Sequence, residues 1–245
     1  MIDEITLDKI RLLKLPGLLE GLEHIQQNQS LQTLSLSEGL SLLIDREKHY
    51  RDNKRLARLI KNAKLRYPNA MVEDINHEHK RAISVDQFKW LTSGQWLTNH
   101  QNILLMGPTG IGKTYLSCAC AQLACRLGIK TRYYRLSKLL EELRIANADG
   151  SYSRLAGQLL KVKCLVIDDW GIDPIPPERR SELLEIIDDQ YDQRSVIIAS
   201  QLPVEHWHDY IGENTIADAL LDRIIHQAKT FNLSGESMRK PIDPS

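Results

Sequence analysis

The sequence has few cysteines, few aromatic residues and no excess charge of either sign. Four cysteines among 245 residues are too few for a scaffold held together by disulfides. Lys and Arg number 32, and so do Asp and Glu, which argues against a uniformly basic nucleic-acid coat. No run reaches the roughly 18 apolar residues of a membrane helix, and the chain does not open with a signal-peptide pattern. We therefore expect a cytoplasmic protein without a membrane segment, in which functional charge is local.

Three of the cysteines fall in one predicted helix. Cys118 and Cys120 are two residues apart, so on a helix their thiols point about 200° away from each other and are poorly placed to share a metal. We interpret these two residues, Cys125 in the same helix and Cys164 in an apolar run as small buried side chains.

The hydrophobic pattern changes near residue 68. From Leu7 to Arg66 the apolar residues are mostly three or four apart, which indicates helices. A looser stretch follows, with one short helix expected around Val85–Leu91. The pattern predicts a small all-helical N-terminal domain over residues 1–67, a linker over 68–100 and an α/β domain over 101–245.

Short apolar runs alternate with helical patterns in the third region. This order is typical of a parallel sheet covered by helices on both faces. The predicted strands are Ile103–Met106, Thr131–Arg135, Cys164–Ile167 and Val196–Ala199, and the predicted helices are Thr114–Leu127, Ser137–Arg144 and Glu178–Gln193.

The segment between the first strand and the next helix reads GPTGIGKT, which fits the phosphate-binding pattern GxxxxGK[ST] in its required context. Glycines let the backbone wrap a polyphosphate so that N–H groups and a helix N-terminus point at it. We expect Lys113 to contact the β- and γ-phosphates of ATP and the Thr114 hydroxyl to ligate Mg²⁺. The predicted nucleotide-binding residues are Gly107, Pro108, Thr109, Gly110, Ile111, Gly112, Lys113, Thr114 and Tyr115.

Two acids follow the apolar run Leu165-Val-Ile167. A magnesium-nucleotide site needs a carboxylate at the end of a neighbouring strand, because the loop supplies only one oxygen ligand. We assign Asp168 to Mg²⁺ and Asp169 to the water that attacks the γ-phosphoryl group. Adjacent residues of a strand point to opposite sides, so we expect the two side chains to diverge.

The fourth predicted strand ends in Ser200-Gln201. An amide at this position can sense the γ-phosphate and position water, so Gln201 is a further candidate for the catalytic machinery. Strand ends also carry Ser and Gln simply to satisfy backbone groups, and this alternative stays open.

Four segments together resemble a known family. They are GPTGIGKT, LVIDDWG, ASQLP and the closing run ADALLDRIIHQAKTFNLSGESMRK. The combination resembles the IstB-type AAA+ ATPases that assist insertion-sequence transposases, relatives of the DnaC-type helicase loaders. The resemblance spans nearly the whole chain and implies a P-loop AAA+ sheet flanked by helices after the helical N-terminal domain.

The resemblance also implies roles for two arginines. Arg223 in LLDRI would be the arginine finger that reaches the nucleotide of a neighbouring subunit, and Arg239 in GESMR would be the second sensor. Many AAA+ proteins have Glu at the position of Asp169 and Asn at that of Gln201. We therefore expect hydrolysis to be slow, or stimulated by DNA or a partner.

Residues 44–67 hold nine basic residues and three acidic ones, a local charge of +6 in a chain whose total is zero. On a helix, many of these cations share one face, where they can meet the phosphates of a duplex. A solvated helix face is the alternative interpretation. We call the six candidate DNA-binding residues the basic stripe: Arg51, Lys54, Arg55, Arg58, Lys61 and Lys64.

Together these features predict an ATP- and Mg²⁺-dependent ATPase that oligomerises on double-stranded DNA and assists a cognate, IstA-like transposase. Two alternatives remain: a DnaC-type helicase loader, and a nucleotide-gated DNA-binding adaptor with negligible turnover.

Overall fold

The computed structural model describes residues 3–28, 33–75, 83–189, 191–235 and 237–238. It separates into two compact units, Met1–Arg58 and Leu59–Ser245. The sequence-based boundaries at residues 67 and 100 stay predictions. None of the described helices is long and apolar enough to cross a membrane.

The first unit is helical. It contains α1 (Glu4–Leu12), α2 (Pro16–Gln27) and most of α3 (Leu36–Ala63), whose last turns belong to the second unit. A Cβ on Gly17 would lie 2.7 Å from the Cα of Glu47, so glycine is needed where α2 packs closely against α3. The buried Glu47 carboxylate accepts from the N–H of Leu18 at 3.1 Å and from Arg51 at 2.6 Å. The bond from Leu18 ties α2 to α3, and the bond from Arg51 lies within α3.

The second unit is built on a parallel five-stranded sheet with the strand order β2-β3-β4-β1-β5. The strands are β1 (Asn102–Met106), β2 (Thr131–Arg135), β3 (Cys164–Trp170), β4 (Ser195–Ser200) and β5 (Ala228–Asn232). Four of them match the predicted strands, and the fold class predicted from the sequence is confirmed.

Helices cover both faces of this sheet. They are α4 (Val85–Ser93), α5 (Gln95–Thr98), α6 (Lys113–Arg126), α7 (Leu136–Ala148), α8 (Tyr152–Leu159), α9 (Pro177–Asp188), α10 (Trp207–Ile211) and α11 (Asn214–Ile225), with a 3-10 turn at Val204–His206. Leu104, Ile167 and Ile198 pack into one core with residues of α7, α9 and α11. The alternate strand residues face the other way, where α6 lies against the strands.

The cysteines are buried, as predicted. All four are free thiols, and burial raises the pKa of Cys120 to about 12. Among the described residues no group of His, Cys, Asp and Glu side chains is arranged to hold a metal ion by itself.

The strand β5 was missed by the sequence reasoning. Its sequence is AKTFN, and only Phe231 is buried. A single buried residue in an edge strand gives no alternating pattern to recognise. This strand nevertheless matters, because the chain that follows it runs along the P-loop.

Candidate nucleotide site

The P-loop connects β1 to α6, as the motif predicts. Gly107, Gly110 and Gly112 have φ angles of 149°, 83° and 97°, which favour glycine over residues with a side chain. The Lys113 ammonium donates to the carbonyl oxygens of Gly107 at 2.7 Å and Pro108 at 2.8 Å. The lysine therefore lies across the loop, at the N-terminus of α6, where backbone N–H groups attract anions.

The segment after β5 packs against the P-loop. The N–H of Leu233 donates to the last carbonyl of β1 at 2.7 Å, and the N–H of Met238 donates to Gly110 at 2.9 Å. A Cβ on Gly107 would come within 2.4 Å of the Leu233 oxygen, and one on Gly110 within 2.4 Å of the Ser237 Oγ. The glycines thus serve two needs, a special backbone conformation and close contact with the C-terminal segment.

A cavity of about 430 Å³ opens beside the loop, and we call it the P-loop cavity. It brings together nine of the residues predicted for the site: Thr109, Gly110, Gly112, Lys113, Thr114, Tyr115, Asp168, Asp169 and Gln201. Of the other predicted loop residues, Gly107 and Pro108 line a separate cavity, and Ile111 is buried.

The expected divergence of the two acids is wrong. The pairing of β3 with β4 is irregular between Ile167 and Trp170, and Asp169 has a left-handed backbone with φ of 61°. Strict alternation therefore ends at this point, and both carboxylates line the P-loop cavity. Asp168 is almost fully buried, at 1% exposure, whereas the side chain of Asp169 is 32% exposed.

Tyr133 holds Asp168 in place, a role that the sequence reasoning missed. Its hydroxyl donates to Asp168 Oδ2 at 2.7 Å, while the N–H of Asp169 donates to Asp168 Oδ1 at 3.0 Å. Burial and the neighbouring Asp168 raise the pKa of Tyr133, so the phenol remains a donor. The signal for this residue lies in the register, because β2 pairs Tyr133 with Val166, two residues before Asp168.

Asp169 has a cationic neighbour in Arg135, at the end of β2. The Arg135 Nε lies 3.3 Å from Asp169 Oδ2. Burial and the charge of Asp168 raise the pKa of Asp169, and Arg135 and Lys113 oppose that rise. The ion pair with Arg135 therefore helps to keep Asp169 ionised beside the second carboxylate, Asp168.

The two polar residues at the end of β4 have different roles. Ser200 is buried, and its Oγ donates to the carbonyls of Trp170 or Leu202 while it accepts from the N–H of Leu202. Ser200 therefore satisfies the hydrogen bonds of nearby backbone groups. Gln201 is exposed and lines the P-loop cavity, where its amide is available to a ligand.

The cavity fits a nucleotide with Mg²⁺. Its volume lies within the range of about 300–1,000 Å³ that is usual for small-molecule sites, and its wall contains a lysine and a helix N-terminus for phosphates. The Thr114 hydroxyl and the Asp168 carboxylate are oxygen donors of the kind that Mg²⁺ prefers.

Arg223, one of the two predicted arginines, is not among the described residues that line this cavity. Arg223 lies at the end of α11, where it pairs with Asp188 and is 30% exposed. It borders a small cleft with Asn102 and Val196, at the amino ends of β1 and β4, whereas the P-loop follows the carboxyl end of β1. Arg239 falls outside the described residues.

The residues of the basic stripe are all exposed. In the first unit, Arg51 pairs with Glu47, and the Lys54 ammonium lies 5.4 Å from the centre of the Tyr50 ring. In the second unit, Lys61 lies in the last turn of α3 and Lys64 follows it in a left-handed conformation. DNA binding by these residues stays a prediction.

A parallel sheet in this order, with a P-loop after β1 and two acids on β3, defines a P-loop nucleotide-binding protein of the AAA+ class. The family of IstB-like ATP binding proteins matches residues 8–243 of the chain. The chain therefore belongs to that family, as the resemblance implied.

Two relatives that are more than 40% identical to this chain are named for insertion sequences. The chain is 41% identical over 235 residues to an insertion-sequence ATP-binding protein of Sinorhizobium fredii, y4pL, with 96% of each chain covered. It is 44% identical over 203 residues to the ATP-binding protein of insertion sequence IS1162 from Pseudomonas fluorescens, with 83% of this chain and 88% of the relative covered.

Solved structures support the fold. The DnaC helicase loader matches with a TM-score of 0.55 at 18% identity, covering 69% of this chain and 99% of the loader. AMPPCP-bound DnaA from Aquifex aeolicus matches with a TM-score of 0.56 at 16% identity, covering 69% of this chain and 51% of DnaA.

Proposed function

We propose that the protein hydrolyses ATP in the P-loop cavity, oligomerises on double-stranded DNA, and assists the transposase of its insertion sequence. The observation that carries this proposal is the convergence of Lys113, Thr114, Asp168, Asp169 and Gln201 on one cavity. The relatives named for insertion sequences support the transposition role.

Binding is assigned to the P-loop. Its N–H groups and the Lys113 ammonium neutralise the phosphates, and the lysine already lies across the loop through its contacts with Gly107 and Pro108. Thr114 and Asp168 would hold Mg²⁺, which when bound supplies further positive charge to the phosphate oxygens. Tyr133 keeps the Asp168 carboxylate in position through its 2.7 Å hydrogen bond.

Hydrolysis is assigned to Asp169 and Gln201, which orient the attacking water. The left-handed backbone brings Asp169 into the cavity, and Arg135 helps to keep it ionised. Because an aspartate is shorter than the glutamate of many AAA+ proteins, a water held by Asp169 lies closer to β3 and farther from the γ-phosphate. We expect the isolated protein to turn over slowly for this reason.

The position of Arg223 suggests why assembly matters. Since Arg223 is absent from its own P-loop cavity, it can serve as an arginine finger only for the nucleotide of another subunit. ATP would then stabilise the contact between neighbouring copies, because binding that favours one state shifts the equilibrium towards it. Hydrolysis would weaken that contact and so determine when the DNA target site is released to the transposase.

The substitution Asp169→Asn tests whether the protein is a hydrolase. It removes the charge that activates water, so we expect the rate of phosphate release to fall about 100-fold or more while ATP affinity stays within about threefold. Phosphate release is measured with and without duplex DNA, and ATP binding is measured separately. Unchanged release in the variant would contradict this assignment of Asp169.

The matched control is Asp173→Asn, which removes one carboxylate on the loop after β3 at a residue that does not line the cavity. We expect its release rate to equal that of the native chain.

A further inference from the structure

Arg66 reaches the P-loop cavity from the end of α3. The helix ends at the buried Ala63, and Lys64 adopts a left-handed conformation with φ of 52°. Leu65 is then buried, so the chain is anchored immediately before Arg66. The arginine is exposed and lines the cavity together with Tyr67.

The segment around Arg66 is fixed to the second unit. The carbonyl of Asn62 accepts from Arg132 on β2 at 3.0 Å, and Glu73 pairs with Arg126 at the end of α6 at 2.6 Å. Val72 is buried at 1% exposure. These contacts on both sides of Arg66 hold its backbone in one place relative to the sheet and the P-loop.

Arg66 lines the same cavity as Asp168 and Asp169. Burial opposes its charge, but Tyr67, Tyr133 and Asp168 outweigh that effect and raise the pKa of Arg66. Its charge also opposes the rise in the pKa of Asp169. Arg66 therefore shares the cavity with Asp168, the carboxylate that Tyr133 holds by its hydrogen bond.

Two of the described residues that line the P-loop cavity are cations, Arg66 and Lys113. They belong to different segments, since Lys113 starts α6 and Arg66 follows α3. Three carboxylates line the same cavity, those of Asp74, Asp168 and Asp169. A bound triphosphate adds further negative charge, and a second cation beside the acids offsets it.

We propose that Arg66 is a phosphate-contacting residue of its own subunit, so that the segment leaving α3 distinguishes ATP from ADP. This inference rests on the proposed function, which places the terminal phosphate beside Asp168 and Asp169. A guanidinium has five N–H donors in a planar fork, so Arg66, on the wall of the cavity, can donate to a phosphate oxygen. ADP lacks that phosphate and gains less from the arginine.

Equilibrium binding of fluorescent ADP and of a fluorescent, non-hydrolysable ATP analogue tests the proposal. Hydrogen bonds to charged groups are the stronger ones, so we expect Arg66→Ala to weaken binding of the ATP analogue about tenfold or more and binding of ADP less than about threefold. Arg66→Lys keeps the charge but not the fork. We expect its affinity for the ATP analogue to lie between that of the native chain and that of Arg66→Ala. Equal weakening of both nucleotides, or no change in either, would overturn the proposal.

Two further variants make the result specific. Lys130→Ala removes one exposed cation that does not line the cavity, and we expect both affinities to stay native. Arg66→Gln retains most of the side-chain length and gives the same comparison if the alanine variant is destabilised, with thermal unfolding as the check on folding. Because both results are affinities, neither depends on turnover.

Failure of this inference is distinguishable from failure of the proposed function. If Lys113→Ala abolishes binding of both nucleotides while Arg66→Ala changes neither, the site stands and the role of Arg66 is overturned. If Lys113→Ala binds both nucleotides as the native chain does, the proposed function fails and so does the inference that rests on it.

Discussion

Two acids of the P-loop cavity, Asp168 and Asp169, are fixed by specific partners, whereas the cations of the basic stripe lie exposed. Asp168 is held by Tyr133 and a backbone N–H, and Asp169 by Arg135. In contrast, Lys54 contacts a tyrosine ring and Arg51 pairs within its own helix. Fixed geometry is what positional chemistry requires, while exposed, adaptable charge is sufficient for contacts with a phosphate backbone. The comparison indicates that the cavity depends on shape and the stripe depends on charge.

The dependence of the cavity on shape is tested most strongly by Gly107→Ala. A Cβ there would lie 2.4 Å from the Leu233 oxygen, on a backbone with φ of 149°. We expect a loss of about 3 kcal/mol in the free energy of unfolding, measured by chemical denaturation, together with loss of nucleotide binding.

Gly157→Ala is the matched control, because a Cβ at this helical glycine meets nothing within 4 Å. We expect a gain of up to about 1 kcal/mol, from the higher helix propensity of alanine. Equal effects of the two substitutions would remove the argument that the P-loop is fixed by close contact with the C-terminal segment.

The dependence of the stripe on charge is tested by the double variant Lys54→Ala, Arg58→Ala. Each lost phosphate contact lowers the slope of log affinity against log salt by about 0.9, so we expect a slope smaller by about 2 for duplex DNA of any sequence. Fluorescence anisotropy over a salt series measures it.

The control for the stripe, Lys89→Ala with Lys130→Ala, removes the same charge from exposed positions elsewhere. A native slope is expected for this control. If both double variants lower the slope equally, net charge rather than the stripe explains DNA affinity.

The smallest expected effect concerns Glu47, a fixed charge within the helix that carries the stripe. Burial would raise its pKa, but Arg51 and the N–H of Leu18 outweigh burial and lower it. Its stabilising contribution is therefore complete above the pKa of an unfolded glutamate and is lost as pH falls through the lower folded pKa.

Glu47→Gln tests that contribution. We expect it to cost about 1–2 kcal/mol near neutral pH and less in acid, measured by denaturation at several pH values. A cost that is the same at every pH would contradict the role of the charge.

The sequence predicts the cavity only where one residue type is needed at one position. The P-loop glycines, Lys113, Thr114 and Asp168 belong to this group, because the backbone conformation or the phosphate chemistry allows few replacements. Gln201 does not belong to this group, since a strand-end amide also has an ordinary backbone role, and it is its position in the cavity that favours the functional interpretation.

The missed features depend on contacts between distant segments. Tyr133 reaches Asp168 across paired strands, Leu233 and Ser237 contact the P-loop, and Arg66 arrives from the end of α3. The left-handed Asp169 reverses an expectation from strand alternation. None of these contacts leaves a periodic or local pattern in the sequence.

The central claim is that nucleotide bound at the P-loop holds neighbouring copies together on DNA. It is tested most directly by mass photometry of the native chain and of Lys113→Ala, each with duplex DNA and a non-hydrolysable ATP analogue. The account predicts DNA-bound oligomers for the native chain, and for the variant only the small species that the native chain gives without nucleotide. Oligomers of the same size and abundance from both proteins would contradict it.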